Sequence, residues 1–253
     1  MARDDLFRTS NPTLNDRVFQ SGREVVFGET MTVNGVVNKT GFLLLLVTLG
    51  AIWPWTLAFE NPQNPLVSVL MIGGIIGGLV MALITTFKKE WAPVTAPAYA
   101  LLEGLALGGI SAIFELRYPG VALQAVALTF AVLGVMLLAY RSGLIKATEK
   151  FKLGVVAATG AIFVVYLAGF VLSFFGIQMG FLYGNSLLSI GVSGVIVVVA
   201  ALNLVLDFDL IETGVRQGAP RRMEWYAGFA LMVTLVWLYL EMLRLLSKIN
   251  SRR

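Results

Sequence analysis

The chain has 253 residues, 57% of them hydrophobic and 13% charged, with a formal net charge of +4 at neutral pH. Ordinary soluble domains carry roughly 25% charged residues, so this composition excludes a soluble globular protein and points to the membrane. Cysteine and histidine are both absent, which removes disulfides, thiolate nucleophiles, the usual general base and the usual zinc or haem ligands.

The first 39 residues read as a cytoplasmic arm ahead of a transmembrane domain spanning residues 40–253. They lack a charged start followed directly by an apolar core and a cleavage site, so they do not read as a secretory signal. Within the arm, "SNPTLNDRVFQSG" carries breakers at Asn11-Pro12 and Ser21-Gly22. It fits either a mobile arm or a short amphipathic helix that uses Leu14, Val18 and Phe19.

Seven apolar segments follow, over residues 41–59, 66–87, 94–114, 121–140, 153–175, 186–206 and 225–246. Each is about 20 residues long, enough to cross a hydrocarbon core as a helix. Lipid leaves no partner for open backbone groups, and the absence of period-2 alternation argues against barrel strands. The loops are too short to fold independently. The expected fold is therefore an all-α membrane protein, one seven-transmembrane helical bundle.

In the first segment, Trp53-Pro54-Trp55 followed by "ENPQNP" suggests an interfacial anchor and turn. Gly73, Gly74, Gly77 and Gly78 in the second, with Gly104 and Gly108 in the third, have the spacing that lets helices approach closely. Pro93 and Pro97 stand at the entry of the third helix, where missing amide donors are tolerated. In the sixth, "GVSG" at Gly191 to Gly194 matches G-x-S-G, but no histidine can activate the serine. Retinal-type chemistry needs a lysine deep in the last helix, whereas Lys248 lies at its end. No enzyme is expected, and no cofactor.

The positive charges sort by side. Fourteen of the 19 lysines and arginines fall in the arm, in "KK" at Lys88-Lys89, in Arg141, Lys146, Lys150 and Lys152, and in Arg216, Arg221 and Arg222; only Arg117 falls in the alternate loops. The positive-inside bias then places the N-terminus in the cytoplasm. The basic balance reads as orientation and membrane-lipid contact, with no nucleic-acid partner implied. Seven crossings leave Arg244, Lys248, Arg252 and Arg253 toward the outer side, against that bias. Residues 225–246 are nevertheless long enough to cross fully.

Acids inside such segments are the default functional candidates, because a charge near the bilayer centre costs about 3 kcal/mol upward. Glu103 lies ~14 Å along the third helix from Val94 and has no local cation. Asp207 follows Asn203 by one helical turn on the same face. Asp207, Asp209 and Glu212 also fit the polar fringe of a helix leaving the membrane. Glu241 in the seventh segment has Arg244 one turn on, and a local ion pair would account for it.

Together "LDFDLIE", "EWYAGFALMVTLVWLYLEMLRLL", "APAYALLEGLALG" and "NPTLNDRVF" resemble the Bax inhibitor family, in particular its longer bacterial branch. The resemblance covers most of the chain. It implies a bacterial cytoplasmic membrane, a bundle with the last helix central, and a pH-sensitive calcium leak. It further implies that an acid of the sixth helix pairs with an acid of the seventh as proton sensor, which maps to Asp207 and Glu241; Glu241 in "LYLE" stands where the family motif has Asp. The family's third-helix acid matches Glu103. Asn203, Asp209 and Arg244 complete the candidate ion pathway, and calcium would meet Asp207 and Glu241 only in transit.

The physics of such a gate stands apart from the name. Two carboxylates pressed together at low dielectric cannot both ionise cheaply, so one takes a proton and latches the helices. Raising pH removes the proton, and the acid oxygens then suit a hard cation. A helix-length comparison opposes the pairing: Glu241 is about 24 Å past Trp225, and Asp207 only about 10 Å before Gly214. Either the seventh helix starts well before Trp225 or tilts, or Asp207 works with Glu103, Asp209 or Arg244. The competing function is a non-conducting regulator that binds another membrane protein, such as a quality-control protease or a stress-response partner, through the arm.

Overall fold

Each apolar segment folds as an α-helix in the computed structural model, which describes residues 29–177 and 179–252. In chain order the helices are α1 (Val33–Glu60), α2 (Pro65–Phe87), α3 (Ala92–Arg117), α4 (Val121–Arg141), α5 (Glu149–Ser173), α6 (Leu187–Arg216) and α7 (Met223–Asn250). A 3-10 turn, Lys89–Trp91, leads into α3, and a one-turn helix, Gly180–Tyr183, lies between α5 and α6. All seven are long and apolar enough to cross a membrane. The protein is an all-α, multi-pass membrane protein.

Several boundaries differ from those expected. Residues 33–39, assigned above to the arm, belong to α1, because Thr32 caps it by accepting from the Gly35 amide at 2.9 Å. Residues 1–28, including the amphipathic stretch, lie outside the described residues. The turn expected at "ENPQNP" forms over residues 61–64, where the Asn64 amide donates to the Asn61 carbonyl at 3.0 Å, while Pro54 is buried inside α1, which runs on to Glu60. At the other end of the chain, α6 continues to Arg216, so Asp207, Asp209 and Glu212 are all helical.

Small residues set the helix spacing where α3 passes between α1 and α2. A Cβ placed on Gly104 would lie 2.9 Å from the Cα of Gly50 in α1, and one on Gly74 would lie 2.7 Å from the Ala106 amide nitrogen in α3. Backbone meets backbone there, as in other small-residue contacts between membrane helices. Gly73 faces open space, so the two overlapping glycine pairs of α2 do not share one role.

The last helix is central. It packs against α1, α3, α4 and α6, and a hydrogen bond between Tyr166 and Glu241 joins it to α5. Half of its most apolar window is buried, against 11% for α5. Leu204 of α6 and Leu235, Leu238 and Leu243 of α7 form the main core, and Met232 and Val236 form a second one with Leu43 of α1.

At one end of the bundle, residues 29–32 lie against the α6–α7 loop. The Met31 amide donates to the Ala219 carbonyl at 2.7 Å, and the Arg221 amide to the Glu29 carbonyl at 3.0 Å. This is the arm end. The opposite, far end carries the loops that follow α1, α3 and α5.

Candidate functional site

Two fixed points set the register of α6 against α7. Near the far end, the Lys248 ammonium donates to the Ser193 hydroxyl at 2.7 Å. Near the arm end, Asp207 has Thr234 as its polar neighbour across the interface. Antiparallel helices that match 193 with 248 also match 207 with 234, so the two observations agree. Glu241 is seven residues beyond Thr234, ~10 Å along the helix.

Asp207 and Glu241 therefore do not pair, and the shared proton expected from the resemblance has no direct contact to occupy. Glu241 is 2% exposed and fully engaged elsewhere. It accepts from the Tyr166 hydroxyl at 2.9 and 3.0 Å, from Arg244 at 3.0 and 3.1 Å, and from the Trp237 indole at 3.3 Å. Arg244 also donates to the Tyr166 hydroxyl. The local Glu241–Arg244 pair foreseen as the alternative is present, with Tyr166 of α5 closing it into a triad.

Asp207 is the opposite case. Its Oδ2 is buried and has no hydrogen-bond partner among the described residues. The hydroxyl of Thr234 donates to its own helix, to the Ala230 carbonyl at 3.3 Å. Leu204 and Phe208 flank the acid in the core. An orphaned carboxyl oxygen between two central helices carries a large desolvation cost when charged, and it becomes tolerable either by holding a proton or by admitting water or a cation.

None of the other suggested partners reaches Asp207. Asn203 donates to Thr159 of α5 at 2.8 Å and to the Val199 carbonyl at 2.9 Å, so one-turn spacing does not make it a partner. Asp209 forms an ion pair with Lys152 at 2.8 Å. Glu212 accepts from the Tyr140 hydroxyl at 2.5 Å. These last two are the polar fringe of α6 at the arm end. Glu103 lies on α3 beside Tyr99, its carboxylate directed at Gly78 of α2 and without an ion pair among the described residues. It is a second acid without a cation among the described residues, with Tyr99 as its polar neighbour, on a helix that makes no substantial contact with α6.

Two polar features escape sequence reasoning. Glu224, 2% exposed, accepts from both the Thr32 amide and the Thr32 hydroxyl at 3.1 Å. It fills the space where a side chain on Gly35 would stand. Residues 1–39 read as an arm, and nothing local linked Thr32 to a residue 192 positions away. Lys248, 4% exposed, donates to the Leu182 carbonyl at 2.7 Å, to the Ser189 carbonyl at 3.4 Å and to Ser193. A lysine thus reaches the serine of "GVSG" where histidine is absent. Three oxygens surround the Lys248 nitrogen and tie α7 to α6 and the one-turn helix.

No group of three or more acidic metal ligands exists among the described residues. Asp207 and Glu241, named above as transient calcium contacts, are two turns apart and do not form a joint ligand set.

A family model described as Bax inhibitor 1 like matches residues 11–251. No curated protein and no solved structure matches the chain.

Proposed function

The chain belongs to the Bax inhibitor 1 like family, and from that premise we propose that it is a proton-gated cation leak, for calcium first, in a bacterial cytoplasmic membrane, with its N-terminus in the cytoplasm. The observation that carries this reading is Asp207, whose buried Oδ2 lacks a hydrogen-bond partner among the described residues where α6 meets the central α7. With a proton on it, the carboxyl is neutral and the α6–α7 interface stays closed. Without the proton, the charge requires water or a cation, and the interface must part to admit one. The carboxylate and hydroxyl oxygens of Asp207 and Thr234 are hard donors that suit a hard cation in transit. The sign follows: flux rises as pH rises. Glu241 enters as a fixed, ion-paired anchor for α5 and α7.

The test is calcium entry into liposomes that hold the purified protein, followed across neutral pH. A pH-dependent flux that Asp207→Asn makes insensitive to pH supports the gate. Flux equal to that of empty vesicles removes it.

One observation favours a second reading, a non-conducting regulator of another membrane protein. The segment Glu29–Thr32 is fastened beside the start of α7, which fixes where residues 1–28 join the bundle at the arm end. Deleting residues 1–28 separates the two: a regulator loses its cellular effect, and a leak keeps its vesicle flux.

A further inference from the structure

At the far end, a cavity of about 430 Å³ opens between the end of α3, the one-turn helix and the last turns of α7. Arg117, Tyr183, Asn185, Arg244, Ser247 and Lys248 line it, and no carboxylate among the described residues does. Cavities of this size hold small ligands and headgroups.

Among the described residues, Glu241 is the one acid paired with the three cations of this cavity, and it pairs with Arg244 alone. Glu241 meets Arg244 only through Nη1, so Nε and Nη2 of Arg244 have no hydrogen-bond partner among the described residues. Arg117 lies over the Tyr118 ring at 5.6 Å and has no acidic partner among the described residues. The nearest acid in sequence, Glu115, is occupied by the Gly120 and Ala122 amides at 2.5 and 2.9 Å. Lys248 touches only neutral oxygens. Arg244 and Lys248 are one turn apart on one helix, a spacing at which like charges repel.

We propose that this cavity binds a phosphate oxyanion, carried either by a phospholipid headgroup or by a dissolved phosphate compound. The two guanidinium groups supply forked donors that match phosphate oxygens. Asn185, Ser247 and the Tyr183 hydroxyl add neutral polar groups around them, and Lys248 adds charge from behind. The site lies where helices leave the bundle, and Tyr118 and Tyr183 mark that level as tyrosines do at membrane interfaces. Phospholipid phosphates occupy the same depth. This binding does not depend on whether the protein conducts ions.

The experiment places the full chain in nanodiscs of phosphatidylcholine alone or mixed with phosphatidylglycerol. Native mass spectrometry reads the retained lipid, and thermal unfolding is followed as inorganic phosphate is added to the phosphatidylcholine discs. In the lipid arm, the wild type retains phosphatidylglycerol over phosphatidylcholine by about tenfold, the effect of roughly one charge-assisted contact. In the phosphate arm, inorganic phosphate raises the unfolding temperature. A response in either arm that Arg117→Gln abolishes and Arg117→Lys largely keeps supports the site and identifies the source of the anion. Arg117 is exposed, so these variants leave the packed interior intact. No response in the wild type, or equal responses in the wild type and Arg117→Gln, overturns the proposal.

Discussion

Asp207 stands level with Thr234 on α7, two helical turns short of Glu241. The two acids occupy different environments, one solitary and one locked in a triad with Arg244 and Tyr166. Their substitutions should therefore separate function from stability.

Asp207→Asn replaces the carboxyl by a permanently neutral group of the same size. Calcium flux should lose its rise with pH and stay at the low level of the protonated state, with thermal stability unchanged or slightly raised. Dye-loaded liposomes measured over a pH series check this.

Glu241→Gln should act on stability first. It leaves Arg244 facing a neutral amide, and breaking one side of a buried pair costs on the order of 3–5 kcal/mol. The Arg244 side chain is 32% exposed, which lowers the expectation to about 2 kcal/mol. Unfolding in bicelles measures it, and Tyr166→Phe should reproduce a smaller part of the loss.

Gly104→Val should prevent normal association of α1 and α3, since the added atoms meet the backbone at Gly50 and Val47. The cost is about 1–3 kcal/mol or failure to fold, as in other overpacked cores. Gly73→Ala, on a helix with the same glycine spacing, meets nothing within 4 Å and should be neutral.

The seven spans were legible because composition and run length decide them, and the central place of α7 followed from the family resemblance. What the sequence could not supply was register. Helices that are apolar all round give no strong face to read, so the pairing of Asp207 with Thr234, and of Lys248 with Ser193, had no local signature. The length comparison that set Glu241 too far along its helix to meet Asp207 was sound, and the structure removes the contact for that reason. The Thr32 cap was missed with the start of α1, and its partner Glu224 had no local signature, because only the folded bundle brings the first and last helices together.

Glu224→Ala should uncover the start of α1. It removes two hydrogen bonds to Thr32, for a loss of about 1–2 kcal/mol. Amide exchange at Thr32 and Gly35 should quicken before exchange in the middle of α1 does.

Lys248→Met should loosen the far end. The Leu182 carbonyl and Ser193 lose a charged donor, worth about 1–3 kcal/mol together after the relief of burying a charge. Faster exchange over Gly180–Tyr183, with the arm end unaffected, is the expected signature.

The contact between Thr32 and Glu224 also imposes an order on assembly. Chains enter a membrane from the N-terminus as they are synthesised, so α1 arrives first, yet the carboxylate that completes its cap belongs to the last helix. During insertion of the five helices between them, the start of α1 remains without that ligand. Arrival of α7 then brings Glu224 to Thr32 while residues 219–221 are laced to residues 29–31. The first of the seven spans is sealed by the seventh, which ties the capping of α1 to the arrival of α7.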